Sequence, residues 1–138
     1  MPKLTRWMLK TSLIYLLLAL LIGLARGLQP FFAGSPAFLR QLEPVRVHLF
    51  VVGWLSMLIF GVVFSMFPKF SQEKPRGHEW LLWAAYDLIN LGLILRIIGE
   101  SAAQPGSFYG WLLVASAGLQ WLASLAFVIH TWPRIREK

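Results

Sequence analysis

Four apolar runs separated by short polar segments fill most of this 138-residue chain. A helix that crosses a bilayer needs about 20 mostly apolar residues, so four such helices with short connections leave little sequence for a soluble domain. The expectation is an all-α, integral membrane four-helix bundle forming a single transmembrane domain over residues 1–138, with spans at about 8–26, 47–68, 80–98 and 108–131. Composition agrees. The hydrophobic fraction is 57% and the charged fraction 14%, against roughly 45–50% and 25% in soluble domains. A basic start followed by an apolar stretch is also how a signal peptide begins, but the small-residue cleavage pattern is missing and three more apolar runs follow. The first run therefore reads as an uncleaved anchor.

Punctuation along the chain sets these boundaries. Ser12 to Ala25 lies between Lys10 and Arg26, with Trp7 at an interface position and Gly27 and Pro30 closing the run. The stretch from Gly27 to Arg46 contains Pro30, Gly34, Ser35, Pro36 and Pro44, which suits an interfacial loop with one short helical turn. No charge falls between Arg46 and Lys69, and Pro68 acts as a stop. Lys69 to Glu79 is a polar loop, and Ser101 to Ser107 a short turn. Aromatic residues mark both ends of the fourth run: Phe108, Tyr109 and Trp111 at one end, Trp132 at the other.

The 13 lysines and arginines sort by side. The N-terminus, the Lys69–Glu79 loop and the C-terminus hold nine of them, and the other side holds only Arg26, Arg40, Arg46 and Arg96. Basic segments stay inside, so both termini are expected in the cytoplasm and the protein in the inner (plasma) membrane. The surplus serves topology, and nucleic acid is not an expected partner. All five lysines fall inside and all four outer cations are arginine. Arginine binds carboxylates in planar, bidentate fashion where lysine offers a point charge, so either chance or a carboxylate bound at the outer face accounts for the sorting.

Cysteine is absent, which excludes disulfides, thiolate metal sites and covalent haem attachment. Any cofactor must use other ligands, and there are three histidines. His48 stands at the outer end of the second span, where an imidazole is either an interfacial residue or a metal ligand. Gly53, Met57 and Gly61 form a ridge at four-residue spacing, suited to close helix packing. On a regular helical wheel this ridge lies opposite His48.

The stretch from His48 to Pro68, with HLFVVGW and then FGVVFSMFP, resembles the second helix of the heme-copper oxidase catalytic-subunit (subunit I) superfamily, in particular short four-helix proteins related to its C-type oxidase and nitric oxide reductase branch. The resemblance covers about one helix, with looser similarity over the following loop and third helix. It implies that His48 is an axial ligand of a low-spin haem, taken as haem b, and that Arg46 contacts a haem propionate. It implies no oxidase activity for this chain alone, because the helices that carry the remaining ligands in that family are missing and no histidine cluster here could hold copper.

If His48 binds haem, a second ligand is needed. His78 and His130 belong to the inner side, roughly 25–30 Å away, and no methionine lies at the right depth. The haem is then five-coordinate, or His48 of a second chain completes the site across the two-fold axis of a homodimer. The expected function is electron transfer with bis-His ligation and a redox partner protein. The alternative is a cofactor-free accessory or assembly subunit of a respiratory membrane complex.

Other polar residues carry open readings. Asp87 lies roughly 12 Å in from the inner end of the third span, where an ionisable residue suggests function. Asn90 is one turn further out. Ser116, Gln120 and Ser124 make a stripe on the fourth span, and counting depth puts Ser124 beside Asp87 and Gln120 beside Asn90. The group is a set of interhelical hydrogen bonds or a proton site, and a proton-coupled transporter would rest on Asp87 alone. Arg96 either pairs with Glu100 at i, i+4 or reaches a propionate. His78 reads as a solvated loop residue and His130 as interfacial, with an inner second haem between them as the alternative. The RIREK terminus suits topology and anionic lipid.

Overall fold

The computed structural model describes residues 1–32, 34, 36, 38–67, 77–102 and 107–135. Among these every regular element is helical. Helix α1 (Lys3–Leu28) continues into a 3₁₀ turn, Gln29–Phe31. The second span is composite: α2 (Phe38–Gln41), α3 (Glu43–His48), a π-helical segment Leu49–Ser56, and α4 (Met57–Met66). Helix α5 (Glu79–Ala102) forms the third span; α6 (Phe108–Thr131) and a 3₁₀ turn, Trp132–Arg134, form the fourth. All four spans are long and apolar enough to cross a membrane.

All four spans are longer than expected, the first at both ends, the second at its start and the third and fourth chiefly at their ends, while the second ends two residues early at Met66. Helicity begins at Lys3 because Lys3, Arg6 and Lys10 are good helix formers and meet no breaker after Pro2. It begins at Phe38, inside the expected loop, because Pro44 falls in the first turn of α3, where a residue without an N–H costs nothing. Pro68 and most of the Lys69–Glu79 loop, the centre of the Ser101–Ser107 turn, and the last three residues of RIREK lie outside the described residues.

The interior is made of Leu4, Met8, Val45, Leu49, Met57, Phe60, Phe64, Leu82, Ile89 and Leu93, with Ala19, Ala85 and Ala123 at close approaches. The exterior is equally apolar: Leu17, Leu24, Trp111, Trp121 and Ile129 are all exposed. A soluble protein cannot present such a surface; a bundle in lipid must. The molecule is therefore a four-helix membrane bundle.

Close packing follows the glycines. A Cβ on Gly53 would meet the Tyr15 Cγ at 2.8 Å, and one on Gly61 the Met8 Cβ at 3.1 Å, so the ridge on the second span packs against α1. Between α5 and α6, the most intimate pair, Gly92 receives Gln120 and Gly99 receives Leu113.

The π segment keeps that ridge straight. In a regular α-helix, residues four apart precess by about 40° at each step, yet Val45, Leu49, Gly53, Met57 and Gly61 are all buried. The wider i→i+5 turns of the π-helix remove the precession. The Ser56 hydroxyl donates across this wide turn to the Val51 carbonyl, five residues back, at 2.9 Å.

Candidate functional site

At the N-terminal end of the second span, α3 positions His48. Its Nδ1 lies 2.9 Å from the Pro44 carbonyl oxygen one turn earlier. A carbonyl can only accept, so Nδ1 carries a proton, and in the neutral ring Nε2 keeps its lone pair. The ring is half-buried. It lies about a quarter turn from the buried ridge, because it directly precedes Leu49, rather than opposite it as a regular wheel requires.

Around this end the arginines do hold carboxylates, and these belong to the protein. Arg46 binds Glu43 in bidentate fashion through Nε, at 2.9 Å, and Nη2. Arg26 of α1 reaches the same carboxylate. The trio carries a net charge of one plus, since two guanidinium groups share one carboxylate. On α5, Arg96 pairs with Glu100 at 3.0 Å. The Nε atoms of Arg26 and Arg96 are both buried without a partner among the described residues. Buried donors of this kind are rare, and they leave this end of the bundle able to donate further hydrogen bonds to an anion.

The mid-membrane polar residues pair differently from depth counting. The Tyr15 hydroxyl donates to the Asn90 Oδ1 at 2.6 Å, Asn90 donates onward to the Tyr86 carbonyl at 2.7 Å, and the Tyr86 and Thr11 hydroxyls meet at 2.9 Å. This ladder ties α5 to α1, so Asn90 does not meet Gln120. Gln120 donates to the Ser116 hydroxyl, which donates to the Gly92 carbonyl at 2.7 Å. Ser124 turns back on the Gln120 carbonyl. Asp87 is exposed, and no hydrogen bond or ion pair among the described residues joins it to Ser124, which is exposed too.

Of the remaining histidines, His78 is exposed, as its place before α5 suggests. His130 is 5% exposed rather than interfacial, with its ring edge-on to Phe64 at 5.6 Å. Arg134 is buried beside it, and its Nη2 donates to the Phe64 and Phe67 carbonyls at 3.2 and 2.8 Å. Those carbonyls end α4 and have no helical acceptor role left, so a guanidinium from the fourth span caps the second. Among the described residues no three His, Asp or Glu side chains are grouped to hold a metal ion.

Glu43, Tyr15 and the capping role of Arg134 were not read from the sequence. Glu43 had a readable signal, since it stands three residues before Arg46 and belongs to the side that holds only arginine cations. The chain matches no known protein family, no curated protein and no solved structure.

Proposed function

We propose that this chain is a multi-pass inner-membrane protein that binds haem b through His48 and takes part in electron transfer, with both termini in the cytoplasm and one haem shared by the His48 side chains of a homodimer. The observation that carries this reading is the His48 hydrogen bond to the Pro44 carbonyl. It fixes the tautomer and orients the ring, which is how ligating imidazoles are commonly held. The resemblance of the His48–Pro68 stretch to the oxidase family supports it.

Bound haem would supply one-electron redox chemistry. The chain's own residues supply the setting. The net positive Arg26–Glu43–Arg46 trio favours a carboxylate nearby, and its unpartnered Nε donor offers one more hydrogen bond. Arg96 contributes less, because Glu100 already neutralises it. Val47 and Val51, exposed beside His48, form an apolar surface that a second chain would cover to exclude water.

The test is a visible spectrum with a pyridine-haem assay on detergent-purified protein. The expected result is one haem per two chains and a low-spin spectrum that His48→Ala abolishes without changing the elution volume. An unchanged low-spin spectrum in that variant would remove His48 as ligand. The second reading is a cofactor-free accessory subunit of a larger respiratory complex, favoured by the arginines' internal carboxylate partners and by the exposed Asp87. A colourless protein expressed with ample haem supply supports it instead.

A further inference from the structure

At the end of the bundle that carries both termini, α1 lines a groove of about 420 Å³ with Lys3, Arg6, Trp7, Lys10, Thr11 and Ile14. Spacings of three and four residues put all six on one stripe of the helix. Lys3, Arg6 and Lys10 are exposed, and none of them pairs with a carboxylate among the described residues. The first turn of α1 has no acidic residue and no side-chain cap, so its N–H groups add to the positive potential. Apolar surface lies between the cations at Trp7 and beyond Lys10 at Ile14. Trp7 and Ile14 are half-exposed in the groove, and the Thr11 hydroxyl is occupied by Tyr86.

From Lys3 to Ile14 the helix rises about 16 Å, so the groove runs from headgroup level into the hydrocarbon. At about 30 Å³ per water it has room for many water molecules, far more than one phosphate would fill. Its chemistry changes along the membrane normal, with the cations Lys3, Arg6 and Lys10 and the amphipathic indole of Trp7 among them in the first turns, then the aliphatic Ile14. We propose that this groove is a binding site for an anionic glycerophospholipid, with its phosphate on Lys3, Arg6 and Lys10 and an acyl chain along Trp7 and Ile14. The site does not depend on whether the chain binds haem, and its test leaves that reading untouched.

The experiment reconstitutes the full chain in phosphatidylcholine nanodiscs doped with phosphatidylglycerol carrying brominated acyl chains, and reads tryptophan quenching. Dilute brominated phosphatidylglycerol should quench a component that Trp7→Phe lacks, while brominated phosphatidylcholine at the same fraction should not. Each cation near an anionic lipid is worth roughly fivefold in affinity. Arg6→Gln should therefore shift the titration about fivefold, and the Lys3→Gln/Arg6→Gln/Lys10→Gln triple variant about a hundredfold. Arg40→Gln, which removes an exposed cation at the opposite end, should leave it unchanged. Inorganic phosphate should not compete. Equal quenching by the two lipids would overturn the proposal, as would an unmoved titration in the Arg6 variant, an equal shift in the Arg40 variant, or full displacement by inorganic phosphate.

Discussion

Single residues decide how closely the helices approach. Gly53 has the Tyr15 ring 2.8 Å from where its Cβ would be, whereas nothing lies within 4 Å of a Cβ on Gly118. The Tyr15 atoms involved sit at the base of its side chain and cannot swing aside. Gly53→Ala should cost about 1–3 kcal/mol, as overpacking does, and Gly118→Ala should change stability by less than about 0.5 kcal/mol. Thermal unfolding in detergent micelles measures both. The Gly53–Gly61 ridge was legible in the sequence because four-residue spacing of small residues has one mechanical use in lipid. Gly92 and Gly99 carry the same information at seven-residue spacing and went unread. Polar residues were harder: depth counting placed Asn90 and Gln120 at matching levels, but level alone does not give rotation about a helix axis. Asn90 turns to Tyr15, and Gln120 turns to Ser116. A double-mutant cycle on Tyr15→Phe and Asn90→Ala should show a coupling of about 0.6 kcal/mol, the average for such bonds in membranes.

Among the elements, the second span departs furthest from a regular helix. Four of its features were visible beforehand: the long uncharged run, the starting histidine, the glycine ridge and the closing proline. Its π-helical turns were not, because hydropathy is blind to a change of helical pitch. That change brings His48 from the far side of the wheel to the flank of the buried face. Deleting Val51, an exposed residue within Leu49–Ser56, should restore ordinary pitch and swing His48 away from its present setting. The expected outcome is a helical protein of unchanged circular dichroism that no longer gives a low-spin haem spectrum. Arg134 acts between elements. Arg134→Ala leaves the Phe64 and Phe67 carbonyls without their guanidinium partner, and should lower stability by about 1–3 kcal/mol, measured by the same thermal unfolding.

For the whole molecule, the arginine sorting that suggested an external carboxylate has a more immediate cause. Glu43 and Glu100 occupy Arg26, Arg46 and Arg96, and the net charge of the trio and the exposed Arg40 remain for a further anion. Four spans put both ends of the bundle on one side, and the native chain has no cysteine to interfere with labelling. In intact cells a membrane-impermeant maleimide should modify Arg40→Cys, and should reach Lys3→Cys only after the membrane is permeabilised. Labelling of Lys3→Cys in intact cells would reverse the orientation.

The described side-chain contacts between the second and fourth spans fall near one end: Phe60 stacks on Phe127 with ring centroids 3.7 Å apart, Phe64 meets His130, and Arg134 grips the end of α4. This arrangement has a consequence in time. Membrane segments enter the bilayer in chain order, so the first two spans can clasp through their glycine ridge while the fourth is still unmade. Throughout that interval the terminal carbonyls of α4 wait without their guanidinium. Arg134 closes the fourth span, and its arrival ties off α4: a nascent bundle stalled before it would expose an untied helix end to whatever chaperone or protease patrols the membrane surface.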